Sequence, residues 1–327
     1  MELPKYPNAP IYSINSLSRM LSEPPSALQK LSAKADTLYR SVPQKKKDGS
    51  PRETFDAYEP LKSIQKKIAL RLLNKTKYPS YLHGGVRDPS SPRSIYSNSR
   101  PHLGSCHIIL LDIKDFYPSI TKSHVTNIFQ NFFGFSSDVS DTLSRLLTKD
   151  GRVPQGACTS SHLANLIFWD VEPQLVHDLQ ANGFNYTRFA DDITISSASN
   201  RDNKTTGEVV SKVISMLKSK NCHLKRSKFH IRSRGQSITG KDGEKFPLTI
   251  TGLSIYNKSK PSISQHDRNN IRSSVKEIEV KTHEGATWSE IAPLYNRAMG
   301  RVGRLISCGH PEGTRLKNRL RMVKNCF

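Results

Sequence analysis

Two apolar runs that end in carboxylates constrain this 327-residue chain more than any other feature. Leu110-Leu111-Asp112 closes the first. In Tyr186-Thr187-Arg188-Phe189-Ala190-Asp191-Asp192-Ile193-Thr194-Ile195, two adjacent acids stand at a turn between apolar stretches. A buried strand excludes a carboxylate unless something compensates its charge. Adjacent acids in a partly buried place repel and hold on to protons, and divalent cations remove that penalty. If the two segments pair as strands, Asp112 and Asp191 both reach the same ions, with Asp192 a weaker or outer ligand. An isolated Asp-Asp is most often an ordinary turn pair; here the flanking strands and the second acidic strand favour metal. Asp115 reads as a local cap or turn acid. Magnesium suits such a site, because it takes oxygen ligands and retains water or phosphate in its shell.

Charge points the same way. Lys and Arg number 50 against 28 Asp and Glu, a formal net charge of +22. That excess opposes compaction unless a polyanion neutralises it, so nucleic acid is the leading partner. It is also uneven: residues 209–241 carry nine Lys or Arg and no acid, and residues 297–327 carry eight against Glu312 alone. A charge run is usually a solvated face. Two acid-poor segments flanking an acidic strand–turn–strand fit a backbone-binding groove around a metal site better. Two Mg²⁺ ions roughly 3.5–4 Å apart, with Mn²⁺ able to substitute, would then serve nucleotidyl transfer. Arg297, Arg301 and Arg304 recur at helical spacing, a face suited to tracking an A-form duplex.

Several classes are disfavoured. The five cysteines are scattered, odd in number and form no Cys-x-x-Cys, which argues against a zinc site and a disulfide framework and fits a reducing cytoplasm. Residues 1–10 are polar and Pro-rich, unlike a signal peptide. No apolar run approaches the ~20 residues of a membrane span.

Periodicity predicts helices within 11–40 and over 59–74, the latter basic and amphipathic. Residues 84–104 read as a loop or irregular hairpin carrying Arg87, Arg93 and Arg100. A buried strand follows at 107–113, helix over 125–147 broken near Gly134, a turn at 153–156, and a long helix over 161–179 interrupted near Pro173. Strand–turn–strand over 186–196, helix over 208–220, strands over 229–256 and basic helices from 265 complete the pattern.

The order Asp-x-x-x-Phe-Tyr, Pro-Gln-Gly and Phe-Ala-Asp-Asp resembles the palm motifs of reverse transcriptases, and more narrowly the bacterial retron-type branch. Leu111-Asp112-Ile113-Lys114-Asp115-Phe116-Tyr117-Pro118-Ser119-Ile120 is close to the first retron palm motif. Val153-Pro154-Gln155-Gly156-Ala157-Cys158-Thr159-Ser160 with Leu163-Ala164-Asn165 follows the second. Asn98-Ser99-Arg100-Pro101-His102 is similar to the retron Asn-Ala-x-x-His element, and Ile250-Thr251-Gly252-Leu253 to its Val-Thr-Gly element. The match covers roughly residues 80–260. Departures are Phe189 for the usual Tyr, Cys158 and Ser161 where Pro is common, Ser99 for Ala, and Ile250 for Val; none removes a ligand.

The resemblance implies an α+β right-hand polymerase fold with fingers, an antiparallel palm sheet and a helical thumb. It divides the chain into an N-terminal helical extension (1–50), fingers (51–105, with 121–155 contributing), palm (106–255) and basic thumb (256–327). It implies RNA-directed DNA synthesis on a cognate structured noncoding RNA that serves as template and primer. dNTPs are the substrates, an RNA–DNA molecule the product, and anti-phage defence with an effector protein the setting. Tyr117 would press on the sugar 2′ position, a steric device against ribonucleotides. Gln155 would contact the incoming nucleotide and Gly156 allow close backbone approach. Arg93 resembles the arginine that clamps the triphosphate, and Lys228 the lysine that protonates pyrophosphate. Thr251 and Gly252 would sit near the primer, with Asn98 and His102 structural or RNA-positioning. A non-retron defence-associated or group II intron-like reverse transcriptase, and a non-catalytic RNA-binding protein on the same fold, remain alternatives.

Overall fold

The computed structural model describes residues 1–45, 49–233, 238–239, 245–246, 249–255 and 259–327; the side chains of Lys228, Ile238, Thr239, Lys245 and Phe246 fall outside that description. Ser13 accepts from the Ser16 N–H to start α1 (Ile14–Leu21), and Pro25 opens α2 (Pro25–Ala33). Leu17, Leu21, Leu28 and Leu31 point inward at the predicted helical spacing. A ribbon follows, with β1 (Tyr39–Ser41) antiparallel to β4 (Phe55–Ala57) and β2 (Gln44–Lys45) to β3 (Pro51–Arg52). Then comes α3 (Leu61–Arg71), which buries Leu61, Ile64 and Ile68.

The stretch expected to be loop contains a short helix, α4 (Ile95–Ser99). A Ser94–Ser97 capping box starts it, satisfying N–H groups that periodicity cannot report. After β5 (His107–Asp112) come α5 (Phe116–Ser119) and α6 (Lys122–Asn127), a π turn over Ile128–Phe132, and α7 (Ser137–Leu147). The long helix expected over 161–179 is two, α8 (Ser160–Leu166) and α9 (Glu172–Ala181). Pro173 does not interrupt a helix. It lies in the first turn of α9, where a missing N–H costs nothing.

Next are β6 (Phe184–Phe189), β7 (Asp192–Ser197), α10 (Asn203–Lys218) and β8 (His230–Ser233). Two short hairpins follow, β9 (Ile238–Thr239) on β10 (Lys245–Phe246) and β11 (Thr249–Ile250) on β12 (Leu253–Ser254). The chain ends in α11 (Gln265–His283), α12 (Trp288–Ser307) and α13 (Pro311–Lys324).

The central sheet is antiparallel with order β6-β7-β5-β8. Strand β5 is covered on both faces, which is why it reads as an unbroken apolar run. Ile109, Leu111 and Ile113 join the large core, whereas Ile108 packs on the other face with Ile250 and Ile255. Side chains alternate with period two, so Asp112 shares the face of Ile108 and Leu110.

Helices α11, α12 and α13 bury a separate core around Val275, Ile291, Val302 and Leu320, and Leu253 belongs to it. The β11–β12 hairpin therefore ties sheet to bundle: Ile250 packs on the sheet and Leu253 on the helices. Ion pairs Arg272–Glu312 and Arg319–Glu279, both 2.6 Å, connect α11 to α13. Among the described residues no helix is long and apolar enough to cross a membrane, and all five cysteines are free.

Candidate active site

Register brings the predicted carboxylates together. Asp112 is the direct cross-strand partner of Asp192, and the Ile113 N–H donates to the Asp191 carbonyl at 3.0 Å. Phe189 pairs with Asp192, so Ala190 and Asp191 form a two-residue turn between β6 and β7. Asp112 is 4% exposed, Asp191 half-buried and Asp192 exposed. Like charges directly opposite one another on one sheet face destabilise pairing, which cations relieve. Asp115 has φ 44° at the start of α5, the turn role expected of it.

The turn is held by residues the sequence reading did not select. Ala190 adopts φ 54°, a left-handed conformation that costs a non-glycine residue of order 1–3 kcal/mol and persists only where its surroundings enforce it. Arg188 is one enforcer. Its fully buried guanidinium donates to both Glu172 carboxylate oxygens (2.6 and 2.8 Å) and to the carbonyls of Ala190 (3.2 Å), Ala164 (3.2 Å) and Asn165 (3.3 Å). Tyr186 adds a bond to Glu172 at 2.7 Å. The second enforcer is a strap over residues 81–85. Tyr81 and His83 exchange backbone bonds with Arg188 (2.9 Å each), and the Asn165 side chain donates to the Gly84 carbonyl at 2.7 Å. A Cβ on Gly84 would lie 2.4 Å from the Ala190 nitrogen, so the turn can approach there only because position 84 lacks one. One signal was present in the sequence: an arginine inside the apolar run of β6 demands a buried partner.

Beside the acids is a cleft of ≈ 610 Å³ whose lining includes Asp112, Asp192, His230, Thr251, Gly252 and Arg304. Three of the predicted nucleic-acid residues thus share a cavity with the acids. Thr251 and Gly252 have φ 48° and 79°, forming the tip of the β11–β12 hairpin. Arg301 lies one helical turn before Arg304 and donates to Ser274 at 2.9 Å, and Arg297 is exposed on the same helix.

The other predicted residues fare variously. Tyr117 is half-buried on α5 against the large core. The Gln155 carbonyl accepts from the Phe55 N–H at 2.7 Å, and Gly156, at φ 110°, lies where a Cβ would meet the Phe55 carbonyl at 2.8 Å. Gly156 therefore admits strand β4. Arg93 donates to the Ser80 carbonyl at 2.6 Å. The backbone of Lys228 closes the turn Arg226–Lys228, but its side chain lies outside the described residues.

Asn98 and His102 require correction as RNA contacts: they are 1% and 0% exposed. His102 bridges β7 and β6 through Ser196 (2.7 Å) and Thr187 (2.8 Å), and burial pushes its pKa down to about 3. Of the two roles the resemblance implied, the geometry fits the structural one.

Among the described residues no three His, Cys, Asp or Glu side chains close into a metal cage. An open pair of strand-borne carboxylates does fit a hard divalent ion that keeps water and phosphate oxygens in its shell.

Comparison with known proteins agrees. A family model described as reverse transcriptase (RNA-dependent DNA polymerase) matches residues 44–263. The chain is 33% identical over 318 residues to the Retron Se72 reverse transcriptase of Salmonella heidelberg (strain 579083-10), covering 97% of this chain and 81% of that protein. It is 28% identical over 333 residues to the Retron Ec48 reverse transcriptase of Escherichia coli, covering 97% and 77%. A telomerase structure from Candida albicans, with a fragment of telomeric RNA, aligns at 10% identity and TM-score 0.43 over 91% of this chain and 65% of that one, too distant to argue from. With a family model spanning most of it and a relative at 33% identity matched over 81% of its own length, the chain belongs to the retron-type reverse transcriptases, RNA-directed DNA polymerases that use divalent metal and an RNA template.

Proposed function

We propose that the enzyme copies part of a cognate structured noncoding RNA into DNA, using two Mg²⁺ ions, with Mn²⁺ able to substitute. The observation that carries this reading is the strand register: Asp112 opposite Asp192 on one face, with Asp191 in the adjoining turn. Asp112 and Asp191 serve as the inner ligands and Asp192 as an outer one. Bound ions supply activation of the primer 3′-hydroxyl and stabilisation of leaving pyrophosphate. The chain's own groups do the rest. Tyr117 closes off the sugar 2′ side. Gln155 meets the incoming dNTP. Arg93 leaves Ser80 to clamp the triphosphate, and Lys228 donates a proton to pyrophosphate. Thr251, Gly252 and Arg304 hold the primer side of the cleft, while Arg301 and Arg297 continue along the RNA–DNA duplex by phosphate contact.

In this reading residues 51–105 with 121–155 are fingers, 106–255 palm and 256–327 thumb, with 1–50 an N-terminal extension. The setting is anti-phage defence with an effector protein. Sequencing the nucleic acid that co-purifies with the protein tests the proposal. One short RNA covalently joined to DNA is expected; a random sample of cellular RNA would overturn the cognate-RNA reading while leaving polymerase activity to be judged separately.

A further inference from the structure

Helix α4 is an unexpected junction. Its Ile95 carbonyl accepts from the Ser99 hydroxyl (2.8 Å) and from the Thr251 hydroxyl at the hairpin tip (3.3 Å). The next residue, Tyr96, reaches across 208 positions of sequence: its hydroxyl donates to the Arg304 carbonyl at 2.7 Å. That carbonyl already accepts the Cys308 N–H at 3.1 Å, so Tyr96 adds a second bond near the end of α12. Ile95 and Tyr96 also pack on the core of the helical bundle. One turn past α4, His102 is bonded to both β6 and β7, the strands that carry the Asp191 turn. A short rigid piece therefore spans from the acid-bearing hairpin to the helix that carries Arg304, Arg301 and Arg297.

Arg304 makes that span consequential. Its side chain lines the cleft beside Asp112 and Asp192 and also the groove between α11 and α12. One guanidinium nitrogen would lie 3.5 Å from a Cβ on Gly252. Helix α12 packs against α11 and α13, and among the described residues its links to the sheet body run through the β11–β12 hairpin, where Leu253 joins the bundle core, and through α4. Tyr96 supplies one of them, at the residue whose side chain enters the cleft.

We infer that Tyr96 is a positioning residue for nucleic-acid binding: through the Arg304 carbonyl it seats α12 so that its arginines meet the primer–template backbone. Tyr96 itself is not part of the cleft lining. The inference rests on the reading of the cleft as the primer–template site, and the experiment separates the two.

Tyr96→Phe removes only the hydroxyl and keeps the packed ring. One neutral hydrogen bond corresponds to about a two- to tenfold change in an equilibrium constant. Steady-state extension of a DNA primer on an RNA template, with fluorescence-anisotropy measurement of primer–template Kd, is the assay. Tyr96→Phe should raise Kd for primer–template about two- to tenfold, leaving KM for dNTP and kcat at saturating primer–template within twofold of wild type. Arg304→Ala should raise Kd as well. The double variant should fall short of the product of the two single effects, because Tyr96 acts in part through the side chain that Arg304→Ala removes. A purely structural role would lower thermal stability and kcat together without this split, and would overturn the inference. So would a multiplicative double variant, or an unchanged Kd in Tyr96→Phe while Arg304→Ala weakens binding. If Arg304→Ala also binds as wild type does, the reading of the cleft itself fails.

Discussion

Placing a methyl group at Gly84 perturbs the acid-bearing turn without touching an acid. The built Cβ stands 2.4 Å from the Ala190 nitrogen and 2.9 Å from the Phe189 carbonyl carbon, whereas ordinary contact begins at 3.4 Å. Strap and turn must therefore separate by about 1 Å. Position 84 is not one of the left-handed glycines, so the cost is steric rather than conformational. Both colliding atoms are backbone, and the turn is pinned by Arg188 and the strap by Asn165, which leaves no flexible side chain to yield. Overpacking of this kind costs roughly 1–3 kcal/mol of stability. A catalytic group misplaced by ~1 Å costs on the order of 10²-fold in rate, or about 2.7 kcal/mol of barrier. Gly84→Ala should thus remain folded, unfold a few degrees lower, and lose about a hundredfold in kcat for primer extension on RNA. Wild-type kcat in a folded Gly84→Ala protein would refute the claim that this approach fixes the geometry of the acids.

Three further outcomes follow. Glu172→Ala leaves the Arg188 guanidinium buried without its counter-charge and should cost about 3–5 kcal/mol; a urea midpoint equal to wild type would contradict this. Tyr117→Ala should increase ribonucleotide incorporation relative to deoxyribonucleotide, measured by competition, and unaltered sugar selectivity would remove Tyr117 as the steric device. Burial pushes the pKa of His102 down to about 3 and those of His83 and His162 to about 4. Their folded values lie below the unfolded value near 6.5, so the unfolded chain binds protons first. Stability present above that pH is lost as pH falls from about 6.5 towards 4, at about 1.4 kcal/mol per pH unit for each histidine; equal urea midpoints at pH 7.5 and pH 5 would refute it.

The parts of the fold that could be read from the sequence are those whose signal is local. The acid-ended runs located β5, β6 and β7. Periodicity located the N-terminal and C-terminal helices. What escaped depends on partners far apart in the chain. Gly84-Gly85 reads as a generic turn, and nothing nearby says that Ala190 will lie against it. Arg188 and Glu172 are 16 residues apart and announce only that each needs a partner. Helix α4 is five residues long and begins on a Ser–Ser capping box, too short and polar for a periodic signal. The break at 167–171 was misplaced because Ile167-Phe168-Trp169 continues the apolar pattern through it, which made Pro173 look like the interruption. The motif left His102 either a structural or an RNA-positioning role, and only the fold shows that hydroxyls on two strands make it a buried brace.

The central claim is that the enzyme's polymerase chemistry depends on Asp112 and Asp191 as metal-binding carboxylates. Primer extension on an RNA template, titrated with Mg²⁺ and compared across Asp112→Asn, Asp191→Asn and Asp115→Asn, tests it directly. Each substitution keeps the side chain's size, and Asn tolerates the left-handed backbone at position 115. The wild type and Asp115→Asn should incorporate dNTPs with similar Mg²⁺ dependence, while Asp112→Asn and Asp191→Asn should be inactive at every Mg²⁺ concentration although folded. Incorporation near the wild-type rate by a folded Asp112→Asn or Asp191→Asn protein would contradict it.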